Sequence, residues 1–244
     1  MDENDGLICS FHNSGKTVEI VGERMIVRKG AMERLLKARD ELESLRSGLR
    51  LKIFYAYRAL EVQQDLYASA VVKARSLFPN RPVDWQLQYA HVLSAKPEVA
   101  GHPTGAAMDI TLFDLETDQD VDMGVPVYRE AYRAAGRKIY TESPEITGLA
   151  MENRLFLREI MSSAGFAPFS GEFWHFSFGD CEWAAKLGKS EAFYGQLSVD
   201  QVLDDLKKGA YGAGTLGRTR SSDSLSLSGF RGYSPRRCLT NGCK

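Results

Sequence analysis

"AMDITLF", residues 107–113, alternates cleanly. In an extended segment Met108, Ile110 and Leu112 share one face, and Asp109 and Thr111 share the other. Such a pattern marks a strand that buries its apolar side and offers its polar side to something else. Three more stretches carry β-branched and aromatic residues in partly alternating order: "TVEIV" (17–21), "LRLKIFYAY" (49–57) and "FWHFSF" (173–178). All four read as strands. Between them, "KGAMERLLKARDELESL" (29–45) repeats apolar residues at helical spacing through Met32, Leu35, Leu42 and Leu45. Further helices are expected from about Leu60 to Leu77, ahead of Pro79, in "VDWQLQYAHVL" (83–93), and in "MENRLFLREIMSSAG" (151–165), where Gly165 suits the C′ position. Helices and strands are interspersed without a repeating β-α-β series. The expected class is therefore α+β, a mostly antiparallel sheet packed with helices in a single domain.

"SVDQVLDDLKKG" (198–209) reads as a closing helix. Ser198 and Gln201 form a capping box, Lys207 and Lys208 suit the C-terminal dipole, and Gly209 can end it. Residues 212–244 are rich in Gly, Ser and Arg and poor in core formers. The domain is thus expected to cover 1–211, with a disordered tail behind it.

Composition narrows the function. With 244 residues, 43% hydrophobic and 26% charged, the chain can build a substantial core. A net charge of −1 gives no reason to expect nucleic acid or an acidic membrane as the main partner. "MDENDGLICS" is acidic and has no apolar run, so it does not read as a secretory signal, and no segment approaches the roughly 20 apolar residues of a membrane span. The expected location is the cytoplasm. Four cysteines, Cys9, Cys181, Cys238 and Cys243, lie apart except in "CLTNGC"; one C-x4-C pair cannot close a structural zinc site, and free thiols are expected.

The chemistry is carried by few residues. Four histidines occur. His12 and His91 have no motif around them; His91 reads as structural, in an amphipathic helix, and His12 as exposed near an end. His102 begins "HPTGAAMD", seven residues before Asp109, and His175 ends "EFWH". A lone E-x-x-H is usually surface or core decoration, and a lone His near an Asp is usually a hydrogen-bonded pair. Together, two imidazoles and a carboxylate make a sensible zinc set with one position left open. In a flat strand Glu172 and His175 would face opposite sides. Pro168 and Gly171 suggest that the strand begins only near Phe173, which leaves Glu172 on an entry loop, free to turn inward. There a carboxylate can take a proton from an attacking water and pass it to a leaving amine.

"HPTGAAMD" matches H-x-x-G-x-A-x-D and "EFWH" matches E-x-W-H, in order and separation. With "LKIFYAYRALEVQ", "WHFSFGDCEWA" and "FYGQL", these motifs resemble the D-alanyl-D-alanine dipeptidase family, the VanX-like zinc peptidases, over about residues 18–197. The resemblance implies one zinc per chain held by His102, Asp109 and His175. It implies Glu172 as general base and then acid, and Arg58 as the group that stabilises the oxyanion. A fixed guanidinium suits that role, and the bland alternative for Arg58 is a salt bridge at a strand end. It further implies that Gly105 lets the loop turn close to the metal, and that Ala107 leaves room behind Asp109. The implied substrate is a small peptide, D-Ala-D-Ala or a closely related cell-wall dipeptide. Alternatives are a muropeptide carboxypeptidase or endopeptidase, or a zinc-holding module without turnover. Two positions depart from the family. Ala100 stands where a Ser is usual, and "MGVPVY" puts Tyr128 where an Asp binds the substrate's amino group; Asp122 and Glu130 are nearby acids that could compensate.

Overall fold

The structure is a computed structural model that describes residues 7–9, 15–22, 24–127, 135–208, 214–215 and 238–239. Its main sheet runs in the order β1 (Leu7–Cys9), β3 (Leu49–Tyr55), β4 (Ala107–Asp114), β7 (His175–Ser177), β6 (Ala167–Pro168), with β5 (Gln119–Asp120) also on β4. Only β1 against β3 is parallel; the other pairs of this sheet are antiparallel. The α+β class and its mostly antiparallel sheet are as expected. β4 is central, and residues 107–112 are buried throughout.

One face of the sheet carries the main core. Leu51 and Ile53 of β3 and Met108, Ile110 and Leu112 of β4 cluster with α2 (Lys29–Leu45) through Leu35, Ala38 and Leu42. Leu157, Ile160 and Met161 of the helix Gly148–Ser163 join the same cluster. That helix, α5, is followed by Gly165 at φ +96°, the left-handed conformation that glycine adopts at no steric cost. The helices expected at 60–77 and 83–93 are α3 (Leu60–Leu77) and α4 (Val83–Leu93), paired side by side. The short helix α6 spans Cys181–Lys186, and the closing helix α7 spans Val199–Lys207 with the complete Ser198–Gln201 capping box. Gly209 lies outside the described residues.

"TVEIV" is not a strand. It lies in helix α1 (Gly15–Val21). Its β-branched residues favour an extended chain locally, but Thr17 and Val21 are buried and Ile20 is partly so, at spacings of three and four. Ile20 and Val21 pack in a second cluster with Tyr57, Leu197 and Val202, and this tertiary contact overrides propensity. The fourth expected strand is shortened to His175–Ser177.

Within the expected tail, Gly214–Thr215 (β9) pairs with Arg24–Met25 (β2), and Cys238–Leu239 (β10) with Glu191–Ala192 (β8). The remainder of 212–244 lies outside the described residues, as do His12, Tyr128, Glu130 and Cys243. Cys9 lies half-buried on β1 and Cys181 is buried at the start of α6. No helix among the described residues is long and apolar enough to cross a membrane.

Candidate metal centre

The sheet face opposite the main core holds the polar residues. Asp109 on β4 is paired with Tyr55 of β3 on one side and with His175 of β7 on the other. Directly opposed residues of antiparallel strands point to the same face, so these three side chains meet. On β3 the pairing shifts between Ile53 and Tyr55: Ile53 opposes Ile110, and Tyr55 opposes Asp109. The extra residue, Phe54, is a β-bulge that re-aims the chain so that Tyr55, not its neighbour, faces the site. Phe54 itself stays in the core, edge-on to Trp174 at 6.5 Å.

His102 arrives from the loop before β4. It opens a 3-10 turn, His102–Thr104, closed by Gly105 at φ +70°, a left-handed conformation that suits glycine. Gly101 is needed for another reason. A Cβ there would stand 2.7 Å from Asp180 Oδ2 and 2.8 Å from the Ala107 methyl. Ala107 is small because the His102 loop packs directly on it.

His102, Asp109 and His175 are all buried, and one ligand atom from each falls within 4.8 Å of the others. His102 Nε2 is 3.4 Å from Asp109 Oδ1, and His175 Nδ1 is 3.1 Å from the same oxygen. The second nitrogen of each ring is occupied elsewhere. His102 Nδ1 donates to the Ala56 carbonyl at 2.8 Å, which leaves Nε2 as the free lone pair. His175 Nε2 faces Glu182 Oε2 and Ser177 Oγ, each at 3.4 Å. Borderline donors, rings fixed from behind and a buried common point suit a zinc ion with an open coordination position.

The charges of the site are strongly coupled. Burial, reinforced by the Arg58 and His175 charges, lowers the pKa of His102 and keeps it neutral. Burial would raise Asp109, but the two imidazoles overcome it and hold the carboxyl well below its usual range. Burial would lower His175, yet Glu182 and Asp109 raise it well above an ordinary histidine. Glu172 is half-buried in the turn between β6 and β7, outside the strand as expected. Burial first, then the Asp109 charge, push it up to about 7, against the opposing pull of His175 and Arg58.

Arg58 follows β3 and bears electrostatically on both Asp109 and Glu172. Its Nε donates to the Tyr55 hydroxyl at 2.9 Å and its Nη1 to Gln63 Oε1 at 2.7 Å, and its guanidinium lies 4.8 Å from the Tyr55 ring centre. Among the described residues it makes no ion pair, so the salt-bridge alternative is not what holds it. Burial would lower its pKa; Tyr55, Asp109 and Glu172 more than offset this, and the group stays charged.

All five residues singled out from the motifs therefore lie together. Tyr55, Gln63 and Glu182 were not foreseen. Tyr55 sits three residues before Arg58, and Gln63 one helical turn into α3. Glu182 lies seven residues beyond His175 behind a Gly-Asp corner, inside the quoted "WHFSFGDCEWA" stretch, but no periodicity there gives it a role. His91 lies in α4 and accepts the Lys96 N–H at 3.0 Å, a local structural role. Asp122 accepts the Gly124 N–H at 2.7 Å in a tight turn.

The sequence profile described as D-ala-D-ala dipeptidase (peptidase M15) matches residues 11–191. A D-alanyl-D-alanine dipeptidase of Synechocystis is 30% identical over 70% of this chain and 79% of its own length. One from Escherichia coli K12 is 28% identical over 69% and 74%. Among solved structures, VanYB in complex with D-Ala-D-Ala aligns at 18% identity and a TM-score of 0.38, over 79% of this chain and 87% of that one, too loosely to carry detail.

Proposed function

The chain belongs to the D-Ala-D-Ala dipeptidase family, and from that premise we propose that it hydrolyses D-Ala-D-Ala or a closely related small cell-wall dipeptide, using one zinc ion held by His102, Asp109 and His175. The observation that carries this reading is the approach of both imidazoles to one Asp109 oxygen, at 3.4 and 3.1 Å, with Glu172 and Arg58 acting on the same carboxylate.

When bound, zinc polarises the scissile carbonyl and lowers the pKa of water toward about 7. Glu172 accepts the proton of the attacking water on its carboxylate and then delivers it to the leaving amine. A carboxyl pushed up to about 7 is suited to both halves of that task near neutral pH. Arg58 stabilises the carbonyl oxygen as it gains charge. With Nε committed to Tyr55 and Nη1 to Gln63, Nη2 is left as the donor toward that oxygen. Tyr55 packs edge-on with His102, ring centres 4.9 Å apart, and Phe169 with His175 at 5.9 Å, and both imidazoles are buried.

A second reading keeps the machinery and changes the substrate. Ala100 is buried and offers only a methyl where the family has a hydroxyl, which favours a peptide whose amino end is blocked or extended. The presence of Glu172 and Arg58 beside Asp109 argues against a module without turnover. The test is zinc content and D-alanine release by the purified chain on a panel of D,D-, L,D- and L,L-dipeptides, free and N-blocked. About one zinc per chain and preferred cleavage of a D,D-dipeptide are expected, and His175→Ala should lose both metal and activity. Full zinc retention in that variant overturns the ligand assignment.

A further inference from the structure

Behind the metal centre stands a carboxylate, Glu182 of the "WHFSFGDCEWA" stretch, to which the motifs assign no role. Glu182 lies in the first turn of α6, whose orientation is fixed by Asp180, an N-cap that accepts the Trp183 N–H at 2.9 Å. Glu182 Oε2 is 3.4 Å from His175 Nε2, on the side of the ring away from Asp109. Its other oxygen, Oε1, is buried and has no hydrogen-bond partner. A carboxylate held partly unsatisfied beside an imidazole is costly to keep there unless that contact has a use.

The two ligand rings are thus anchored unequally. His102 is fixed by a backbone carbonyl, Ala56, which every sequence supplies. His175 is fixed by a side chain, and of the two groups facing its Nε2 only Glu182 is charged; the Ser177 hydroxyl can donate or accept and so does not by itself select a tautomer.

We propose that Glu182 is a positioning residue of the metal centre: it accepts the Nε2–H of His175, holds the ring in the tautomer whose Nδ1 lone pair faces the metal, and makes that nitrogen a stronger donor. This rests on the reading of His102, Asp109 and His175 as the ligands. Glu182 does not touch substrate. Its effect is on how tightly the ion is held, which can be read without any turnover.

The experiment uses the full chain stripped of metal, with zinc affinity measured by competition against a chromophoric chelator. The variants are Glu182→Ala, which removes the acceptor, and Glu182→Gln, which keeps an acceptor oxygen of similar shape without the charge. Zinc binding is expected to weaken by about 10- to 100-fold in the first and by less in the second. Long-range 1H–15N NMR of the zinc-loaded wild type should find His175 protonated at Nε2, and that proton should exchange faster in Glu182→Ala. Wild-type affinity in both variants, or a proton on His175 Nδ1, overturns the proposal. Should the Ala variant fail to fold, the near-isosteric Gln variant decides alone, by affinity and by the His175 tautomer. The two readings fail differently: a wild type that binds no zinc, or a His175→Ala variant that binds it normally, removes the ligand assignment, whereas normal wild-type binding with indifferent Glu182 variants removes only the role of Glu182.

Discussion

Tyr55→Phe isolates the positioning of Arg58 from every other property of the site. The hydroxyl is one atom, 2.9 Å from Arg58 Nε, whereas the ring that stacks under the guanidinium at 4.8 Å and meets His102 edge-on at 4.9 Å is retained. The Gln63 contact to Nη1 also survives, so the guanidinium loses one of two tethers and can swing about the other. A hydrogen bond to a charged group contributes about 1.5–3 kcal/mol. If most of it orients Arg58 toward the developing oxyanion, the loss falls on the transition state, and at about 1.4 kcal/mol per decade kcat should drop roughly 10- to 100-fold. Zinc stoichiometry should stay at one, because no ligand contact changes. The assay is steady-state D-Ala-D-Ala hydrolysis with metal analysis, repeated in an Arg58→Lys background. There Tyr55→Phe should add little, since the fork it orients is already gone. A single variant within twofold of wild type, or fully additive effects in the double variant, would refute the claim that Tyr55 acts through Arg58.

Four other outcomes are expected. Glu172→Ala should keep its zinc and lose about 10²- to 10⁴-fold in kcat, checked by metal analysis beside turnover. In the metal-free chain Glu172 ionises near 7, against 4.5 for an ordinary glutamate, so the folded state binds more protons between those values. Stability therefore falls as pH rises from about 4.5 to about 7, and chemical denaturation should show Glu172→Gln with a shallower decline than wild type. Gly101→Ala places a methyl 2.7 Å from Asp180 Oδ2 and 2.8 Å from Ala107 at an ordinary negative φ, so its cost is steric; a loss of about 1–3 kcal/mol and weaker zinc binding are expected in thermal and chelator titrations. Tyr128→Asp with Ala100→Ser should raise kcat/KM for free D-Ala-D-Ala relative to an N-blocked analogue, and an unchanged ratio would assign the ammonium to other groups.

What the sequence made legible follows the range of the forces. Period-2 alternation in residues 107–113 and period-3.6 spacing in 29–45, 60–77 and 83–93 are imposed by the core those residues themselves build, and each element formed where expected. "TVEIV" misled because its helix is decided by Tyr57, Leu197 and Val202, which are distant in sequence. Leu7–Cys9 is too short to show a period and draws its pairing from β3. The five motif residues could be read as a set only through the resemblance, which rests on the order and separation of the motifs that carry them. Glu182 and Gln63 act across elements, through a ring nitrogen and a guanidinium, and leave no periodic trace. The bulge did leave one: Leu49, Leu51 and Ile53 alternate, and Phe54 then breaks the rhythm with a second consecutive apolar residue.

That bulge makes the strand unequal in its tolerance of length change. Upstream of Phe54, β3 is keyed to the helices; from Tyr55 onward it is keyed to Asp109 and, through the Tyr55 hydroxyl, to Arg58. Excising Phe54 joins Ile53 to Tyr55 and leaves the tyrosine opposite Asp109 in an ordinary ladder, at the expense of one core ring. Excising either residue between Tyr55 and Arg58 instead rotates the guanidinium out of phase with the face it serves. When relatives are aligned, a one-residue gap in this strand therefore belongs at position 54, and a gap placed between the tyrosine and the arginine describes a protein whose guanidinium is placed differently.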